Sequence, residues 1–489
     1  MVVVSYLFAA LVAATQCAAL ASSQIVSALK SLGLSSGTEI VAPCNDEYAS
    51  DFTQRWTTHD MPSYAAAVKP VSEVDVATIV TFASNNSIPF LATGGGHGFS
   101  AQLGRIRNGI AIDLGAFNGV SVDVDSNTLT TGGSVVFGDI FEPLGNAGKE
   151  IQTGSDKCVG MVGATLGGGV GRYNGLHGMI VDALKSVRLV TAEGKIITAS
   201  ENENSDLFWG VRGAGFNFGI VLSATYQIYD QTNQGQVVNA DFLYPLNGTS
   251  TVLNYFKSFE KDQPAELSIM MQMGFNPQYG GTYLAVNVVF AGDMEKGRQL
   301  VRPLVNANPT MHNIRTVRWK DLTYNAFFGT APKDAPCAKQ ALHNVYSVGI
   351  KTYDIPTFQR FMTSLNSFYA AYPAAQNTVF FIEAFPRQAV QRVPFDATSY
   401  PHRDIVAHLL FTYTYTDPEL EETVNSFAKK ARSQFAAASG FDSLQVYSSY
   451  AHGDEGPVPL YGSKNLERLR QLKRKWDPKG MFTYNAPFN

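Results

Sequence analysis

Residues 90–100 read FLATGGGHGFS: an apolar run, three consecutive glycines, then one histidine, His97, set between Gly96 and Gly98. Glycines at this density give up side-chain packing so that the backbone can turn freely and approach a neighbour closely. Histidine is scarce, with eight in 489 residues, so its place in this loop asks for a chemical reason. Metal binding does not supply one, because no His-x-x-x-His spacing or carboxylate–histidine cluster accompanies it. No metal site is expected. Three readings stay open on the residues alone. His97 is a structural histidine, or a general base with an orienting partner elsewhere, or a nucleophile whose ring nitrogen bonds an electrophilic cofactor carbon.

Two more glycine-dense stretches follow in the first half. GSDKCVGMVGATLGGGVGRYNGLHG spans 154–178 and GAGFNFG spans 213–219. Successive backbone N–H groups in such loops form concave sites for anionic oxygens, and three loops together suit a dinucleotide better than a single phosphate. The Rossmann fingerprint fails. Gly169-Val170-Gly171 is followed by Asn174, and Gly213-Ala214-Gly215 by Phe218, where a glycine belongs. The stretch after the last loop also reads as strand where the fingerprint needs helix. No G-x-x-x-x-G-K-[ST] loop occurs either.

Composition bounds the class. A chain of this length exceeds one ordinary core and predicts two or more domains. With 45% hydrophobic and 16% charged residues it is a folded globular protein. A net charge of −4 gives no footprint for nucleic acid. The most basic stretch, Arg468 to Lys475, reads as a solvated helix face. Residues 1–21 carry an apolar core followed by small residues, with Ala19-Leu20-Ala21 as a cleavage site, which predicts a secretory signal. Sequons at Asn85 and Asn247 agree with a secreted glycoprotein. Cys17 leaves with the leader, so Cys44, Cys158 and Cys337 allow one disulfide and one odd thiol. A Cys44–Cys337 bridge would join two loop-like contexts in an oxidising compartment, but sequence does not determine the pairing.

Periodicity outlines the elements. SEVDVATIVTFASNN reads as a helix opened by a Ser72/Asp75 capping box. IPFLA is a buried strand feeding the first loop, and GIAIDL, GVSVDVD and TLTTGGSV are strands. ALKSVRLVTAEGKIITAS is a hairpin turning at Glu193-Gly194. Past a polar linker near residue 233, long helices alternate with aromatic-rich strands such as TYLAVNVVFAGD, TVFFIEAFP and AHLLFTYTYTD. That pattern predicts an antiparallel sheet with helices on one face, an α+β second domain.

LATGGGHGFS resembles the flavin-attachment segment of the berberine-bridge-enzyme-like flavoproteins, within the vanillyl-alcohol-oxidase superfamily. VGMVGATLGGGVGRYNGLHG and LFWGVRGAGFNFGIVLSATY resemble the family's second and third flavin loops. RLRQLKRKWDPKGMFTYNAPF resembles the C-terminal segment that folds back onto the flavin domain. Four motifs in the family's order extend the resemblance from about residue 40 to the end. It implies an α+β fold with a two-subdomain, PCMH-type FAD-binding domain over 22–232 (core about 62–230). A substrate domain over 233–445 and a returning segment over 446–489 follow, the type being that of secreted fungal relatives.

The resemblance also implies FAD bonded through its 8α-methyl to His97. Thr93, Gly94, Gly95, Gly96, Gly98 and Phe99 would surround it. The second loop would contribute Gly154, Ser155, Val159, Gly160, Gly163, Thr165, Leu166 and Gly169. Gly219 and Ile220 would come from the third, and Asn485 from the tail. Many relatives carry a second tether, a cysteine three residues before the Val-Gly that opens the second loop. Asp156 stands there, with Cys158 two residues on, so one bond through His97 is expected and a second through Cys158 is not.

The implied reaction moves a hydride from a small alcohol, sugar or secondary metabolite to flavin N5, with reoxidation by O₂. A base takes the proton. YSSY matches the family's Tyr-x-Asn-Tyr with Ser449 for Asn, leaving Tyr447 and Tyr450 as candidates. A tyrosine would need a neighbouring cation to lower its pKa for that role. Gapless matching of SYPHRDIVAHLLFTYTY puts Phe411 where some relatives carry an acidic or amide pocket residue. Glu383, a charge inside VFFIEAFP, is either an ion-pair member or a buried carboxylate base. His402 and Arg403 read as structural. The partners implied are a small molecule and O₂, with no nucleic acid and no membrane after leader removal; oligomeric state is not legible. Two alternatives stay open: a flavin-dependent dehydrogenase or cyclase of natural-product biosynthesis, and a non-catalytic flavin-holding protein.

Overall fold

The computed structural model describes residues 22–43, 45, 51–329 and 337–488. The leader expected over 1–21 and Cys44 lie outside the described residues. The first half builds two sheets. In one, β1 (Glu39–Val41), β2 (Tyr64–Lys69), β4 (Gly109–Asp113) and β3 (Phe90–Thr93) lie in that order. β2–β4 and β3–β4 are parallel, so helix Glu73–Asn85 makes the crossover. Its Ser72 hydroxyl accepts from the Asp75 amide, whereas the Asp75 carboxylate turns to the Ser35 amide and the Thr38 hydroxyl. The predicted box is therefore half made.

The second sheet runs β5 (Val120–Asp123), β6 (Thr128–Gly132), β10 (Gly219–Gln227), β8 (Leu184–Thr191) and β9 (Ile196–Ser200), all antiparallel. A short ribbon pairs β7 (Lys149–Glu150) with β11 (Tyr229–Asp230). Each glycine loop leaves the end of a strand or enters the start of one. The first follows β3, and the third enters β10.

From residue 236 the chain forms one seven-stranded antiparallel sheet. Its order is β15 (Met311–Arg318), β12 (Gln236–Pro245), β14 (Gly281–Phe290), β13 (Leu267–Asn276), β17 (Val379–Ala384), β18 (Ala407–Thr414) and β16 (His343–Ile350). Side chains alternate between its faces. Ile269, Met271, Met273, Phe380, Ile382 and Phe411 join the core shared with helices 249–258, 294–305, 355–371 and 421–437. Met270, Gln272, Phe381, Glu383, Leu410 and Thr412 point the other way, toward the glycine loops. The matching that assigned a pocket role to Phe411 is thus corrected by one residue of pleat: Leu410 and Thr412 face the site.

The last helix, Pro457–Trp476, returns to the first half. Arg468 lies 3.7 Å over the Trp209 ring, and Lys475 pairs with Asp206. The basic run is not the fully solvated face that its composition predicts. Lys473 is buried, pairs with Asp477 at 2.7 Å and donates to the Asn217 carbonyl, holding the tail against the third loop. Among the described residues no helix is long and apolar enough to cross a membrane.

Candidate active site

The three loops and the exposed face of the seven-stranded sheet enclose a cavity of about 910 Å³, at the upper end of cofactor and ligand sites. The first two loops meet backbone to backbone: a Cβ on Gly95 would lie 2.7 Å from the Gly160 amide nitrogen. A side chain there would separate the loops, which explains the glycine more directly than ligand approach does. Gly163 differs: a Cβ there would meet no protein atom within 4 Å, and the residue lines the cavity. An open cradle of this size fits a bound dinucleotide. All the cofactor positions named from sequence line this cavity except Thr165. Thr165 is corrected: it is buried, its hydroxyl bonded to the Met161 carbonyl and the Tyr226 phenol, because its place on helix Met161–Gly167 turns it into the core.

His97 faces the cavity with its ring stacked on Trp56, centroids 5.3 Å apart. Trp56 in turn stacks on His343 at 4.1 Å. Burial, with smaller contributions from His343, Lys339 and Arg55, pushes the His97 imidazole down to about 4. The ring is therefore neutral near pH 7, and a neutral imidazole keeps a nucleophilic lone pair. Cys158 Sγ lies 3.3 Å from His97 Nε2.

The pairing that sequence left open is decided here, and it is not Cys44 with Cys337. The disulfide joins Cys158 to Cys337, with Cα atoms 5.7 Å apart. Loop context alone could not distinguish the partners, because the contact depends on how the second half docks on the second loop. Cys158 has no free valence for a flavin.

On the opposite side, Tyr450 donates to Glu383 Oε2 at 2.9 Å. Burial, reinforced by the charge of Asp156, raises the Glu383 carboxyl to about 7, while the Tyr450 hydrogen bond and Arg172 oppose the rise. Glu383 is thus buried and hydrogen-bonded, and among the described residues it forms no ion pair. The condition set for a tyrosine base, a neighbouring cation that lowers its pKa, is not met. Burial pushes the Tyr447 phenol up to about 12 and Tyr450 well above its usual value. Tyr447 instead accepts from the Gly169 amide and donates to the Ala164 carbonyl, bracing the second loop.

Sequence reasoning missed Trp56, Arg172 and His343, all of which line the cavity. Arg172 sits inside the second loop, where the glycines drew the reading, and its guanidinium is buried against Asn287 at 3.1 Å. Trp56 and His343 carry no local signal, since their stacking joins segments 287 residues apart. Arg403 is structural: it pairs twice with buried Asp182, at 2.9 and 3.1 Å. His402 bonds the Leu460 carbonyl.

A dinucleotide-sized cavity between glycine loops and a sheet, with a paired phenol and carboxylate in its wall, defines a cofactor-dependent oxidoreductase. A family model described as FAD binding domain matches residues 64–200, and one described as berberine and berberine like matches 446–487. The FAD-linked oxidoreductase azaL of Aspergillus niger is 42% identical over 457 residues, 93% of this chain and 96% of its own. The FAD-linked oxidoreductase tazG of Aspergillus terreus is 41% identical over 456 residues, 93% of either chain. A chitooligosaccharide oxidase superposes with a TM-score of 0.81 at 21% identity, over 96% of this chain and 99% of its own. A glucooligosaccharide oxidase of Acremonium strictum gives 0.80 at 21% identity, over 92% and 96%. At such identity the structures share the fold. This chain belongs to the berberine-like family of FAD-linked oxidoreductases.

Proposed function

We propose that the protein oxidises a small alcohol, holding FAD covalently through His97 and returning the electrons to O₂. The observation that carries the reading is the Tyr450–Glu383 hydrogen bond, 2.9 Å long and facing the same cavity as His97. FAD, when bound, supplies the two-electron acceptor; the chain supplies position and proton handling. A substrate hydroxyl at Tyr450 Oη gives its proton to the phenol oxygen as the phenol passes its own to Glu383 Oε2. A carboxylate with a pKa near 7 suits that task at neutral pH. Tyr447 braces the loop beneath, and Trp56 holds the His97 ring in place.

The substrate side of the cavity is mixed. Leu243, Met270, Val345, Val379, Phe381 and Leu410 line it beside polar Gln272, Asn276, Tyr283, Asn377, Thr412 and Thr414, which suits a molecule with both apolar surface and hydroxyls. Solved neighbours include the glucooligosaccharide oxidase of Acremonium strictum with its 6-S-cysteinyl, 8α-N1-histidyl FAD. Here Asp156 stands in the cavity wall and Cys158 is bonded elsewhere, which supports a single tether. Secretion is part of the same proposal, supported by the disulfide and by exposed Asn85 and Asn247.

Acid precipitation tests the attachment. Yellow colour should stay with the wild-type pellet and leave it in His97→Ala; colour in the wild-type supernatant rejects covalent binding. A screen of alcohols for anaerobic flavin bleaching, followed by peroxide assay in air, tests the chemistry. Bleaching by none of them favours a non-catalytic flavin holder, and bleaching without peroxide favours a dehydrogenase.

A further inference from the structure

We propose that the Cys158–Cys337 disulfide is a positioning element for flavin attachment, selecting the His97 tautomer that carries its lone pair on Nδ1. The inference rests on the covalent reading given above. His97 Nε2 lies 3.3 Å from Cys158 Sγ, and no other hydrogen bond to the ring is made among the described residues. A disulfide sulfur has no proton and can only accept. It therefore favours the proton on Nε2 and leaves the lone pair on Nδ1, since the bond made by one ring nitrogen sets the state of the other. A thiol at the same place can donate, which favours the opposite tautomer.

The sulfur is held there from the substrate side. Cys337 begins a segment stitched to residues 55–58, with the Gln340 amide bonded to the Arg55 carbonyl and the Thr58 amide to the Ala341 carbonyl, each at 2.9 Å. The segment ends at His343, stacked on the Trp56 ring that also packs on His97. Two fixed points thus define the imidazole: Trp56 its plane, and the disulfide its protonated edge.

Attachment then joins His97 Nδ1 to the flavin 8α carbon. One C–H bond breaks and one C–N bond forms. Two electrons pass by way of the flavin to O₂, and two protons, one from carbon and one from Nε2, complete H₂O₂.

The test compares wild type, Cys337→Ala and the double variant Cys158→Ala/Cys337→Ala, each expressed with its native flavin supply. Acid-stable flavin is followed over time after induction, and the linkage isomer is read by NMR of the released histidyl flavin. Wild type should carry only the Nδ1 isomer. Cys337→Ala, which leaves a donating thiol, should attach flavin about tenfold more slowly, the scale of one hydrogen bond. The double variant should fall between them. Equal slowing in both variants would mean that the disulfide acts only by tying the segment down, and the proposal would be wrong. Wild-type rate in Cys337→Ala, or an Nε2 linkage in wild type, overturns it as well. Flavin lost from acid-precipitated wild type instead rejects the covalent reading itself, and the proposal with it. Thermal melting of all three proteins separates misfolding from slow attachment.

Discussion

The phenol of Tyr450 and the carboxylate of Glu383 meet at 2.9 Å although 67 residues separate them. Glu383 comes from β17 in the seven-stranded sheet, and Tyr450 from the segment that starts the return to the flavin-binding half. In the relay proposed above they act together, the phenol held neutral by burial and the Glu383 carboxylate taking the proton it passes on.

Catalysis should follow the ionisation of Glu383. Its folded pKa is about 7, so below that pH the carboxyl is protonated and cannot accept. The logarithm of kcat/KM should fall with unit slope on the acid side and level off above neutrality. Glu383→Gln should remove that limb and lower the rate of anaerobic flavin reduction by about 10²–10⁴-fold, the usual range for a general base.

Tyr450→Phe tests the relay from the other end. Losing Oη removes the hydrogen bond that lowers the Glu383 pKa, so the acid limb should move to higher pH while the rate drops. Stopped-flow flavin reduction across pH checks both effects. An unchanged midpoint with an unchanged rate rejects the relay.

Asp156 should tune the same group. Its charge raises the Glu383 pKa, so Asp156→Asn should move the acid limb to lower pH. Flavin content should stay at the wild-type level, as the proposed tether through His97 requires. A midpoint unmoved in the kcat/KM profile would show that Asp156 is protonated or screened.

Arg403 and Asp182 make a prediction about stability. Both are buried, with side-chain exposures of 7% and 5%. Arg403→Ala leaves a buried carboxylate without its partner, which costs about 3–5 kcal/mol. Urea denaturation should show the loss, while the Tyr450 and Glu383 protonation profile stays in place for the folded fraction.

Local pattern carried much of this protein. Period-two apolar alternation marked the strands, and glycine clusters marked the loops that line the cavity. The mixed α+β class follows from those signals, because they report on neighbours a few residues apart. A one-residue uncertainty was enough to misplace Phe411, since successive strand residues face opposite sides. Thr165 was misread for a similar reason, a helix turning one face to the cavity and another to the core.

The amino-acid sequence by itself determined the three glycine loops, the solitary His97 and the order of strands and helices around them. Tertiary structure alone decided which cysteine bonds Cys337, which carboxylate meets Tyr450, and that Trp56 and His343 stack beside His97. The physical reason is range. Backbone propensity and side-chain period act within a few residues, whereas these contacts appear only once the seven-stranded sheet docks against the loops. Burial at that docked face then raises the Glu383 carboxyl to about 7 and lowers the His97 imidazole to about 4, the shifts on which the proposed roles of both residues rest.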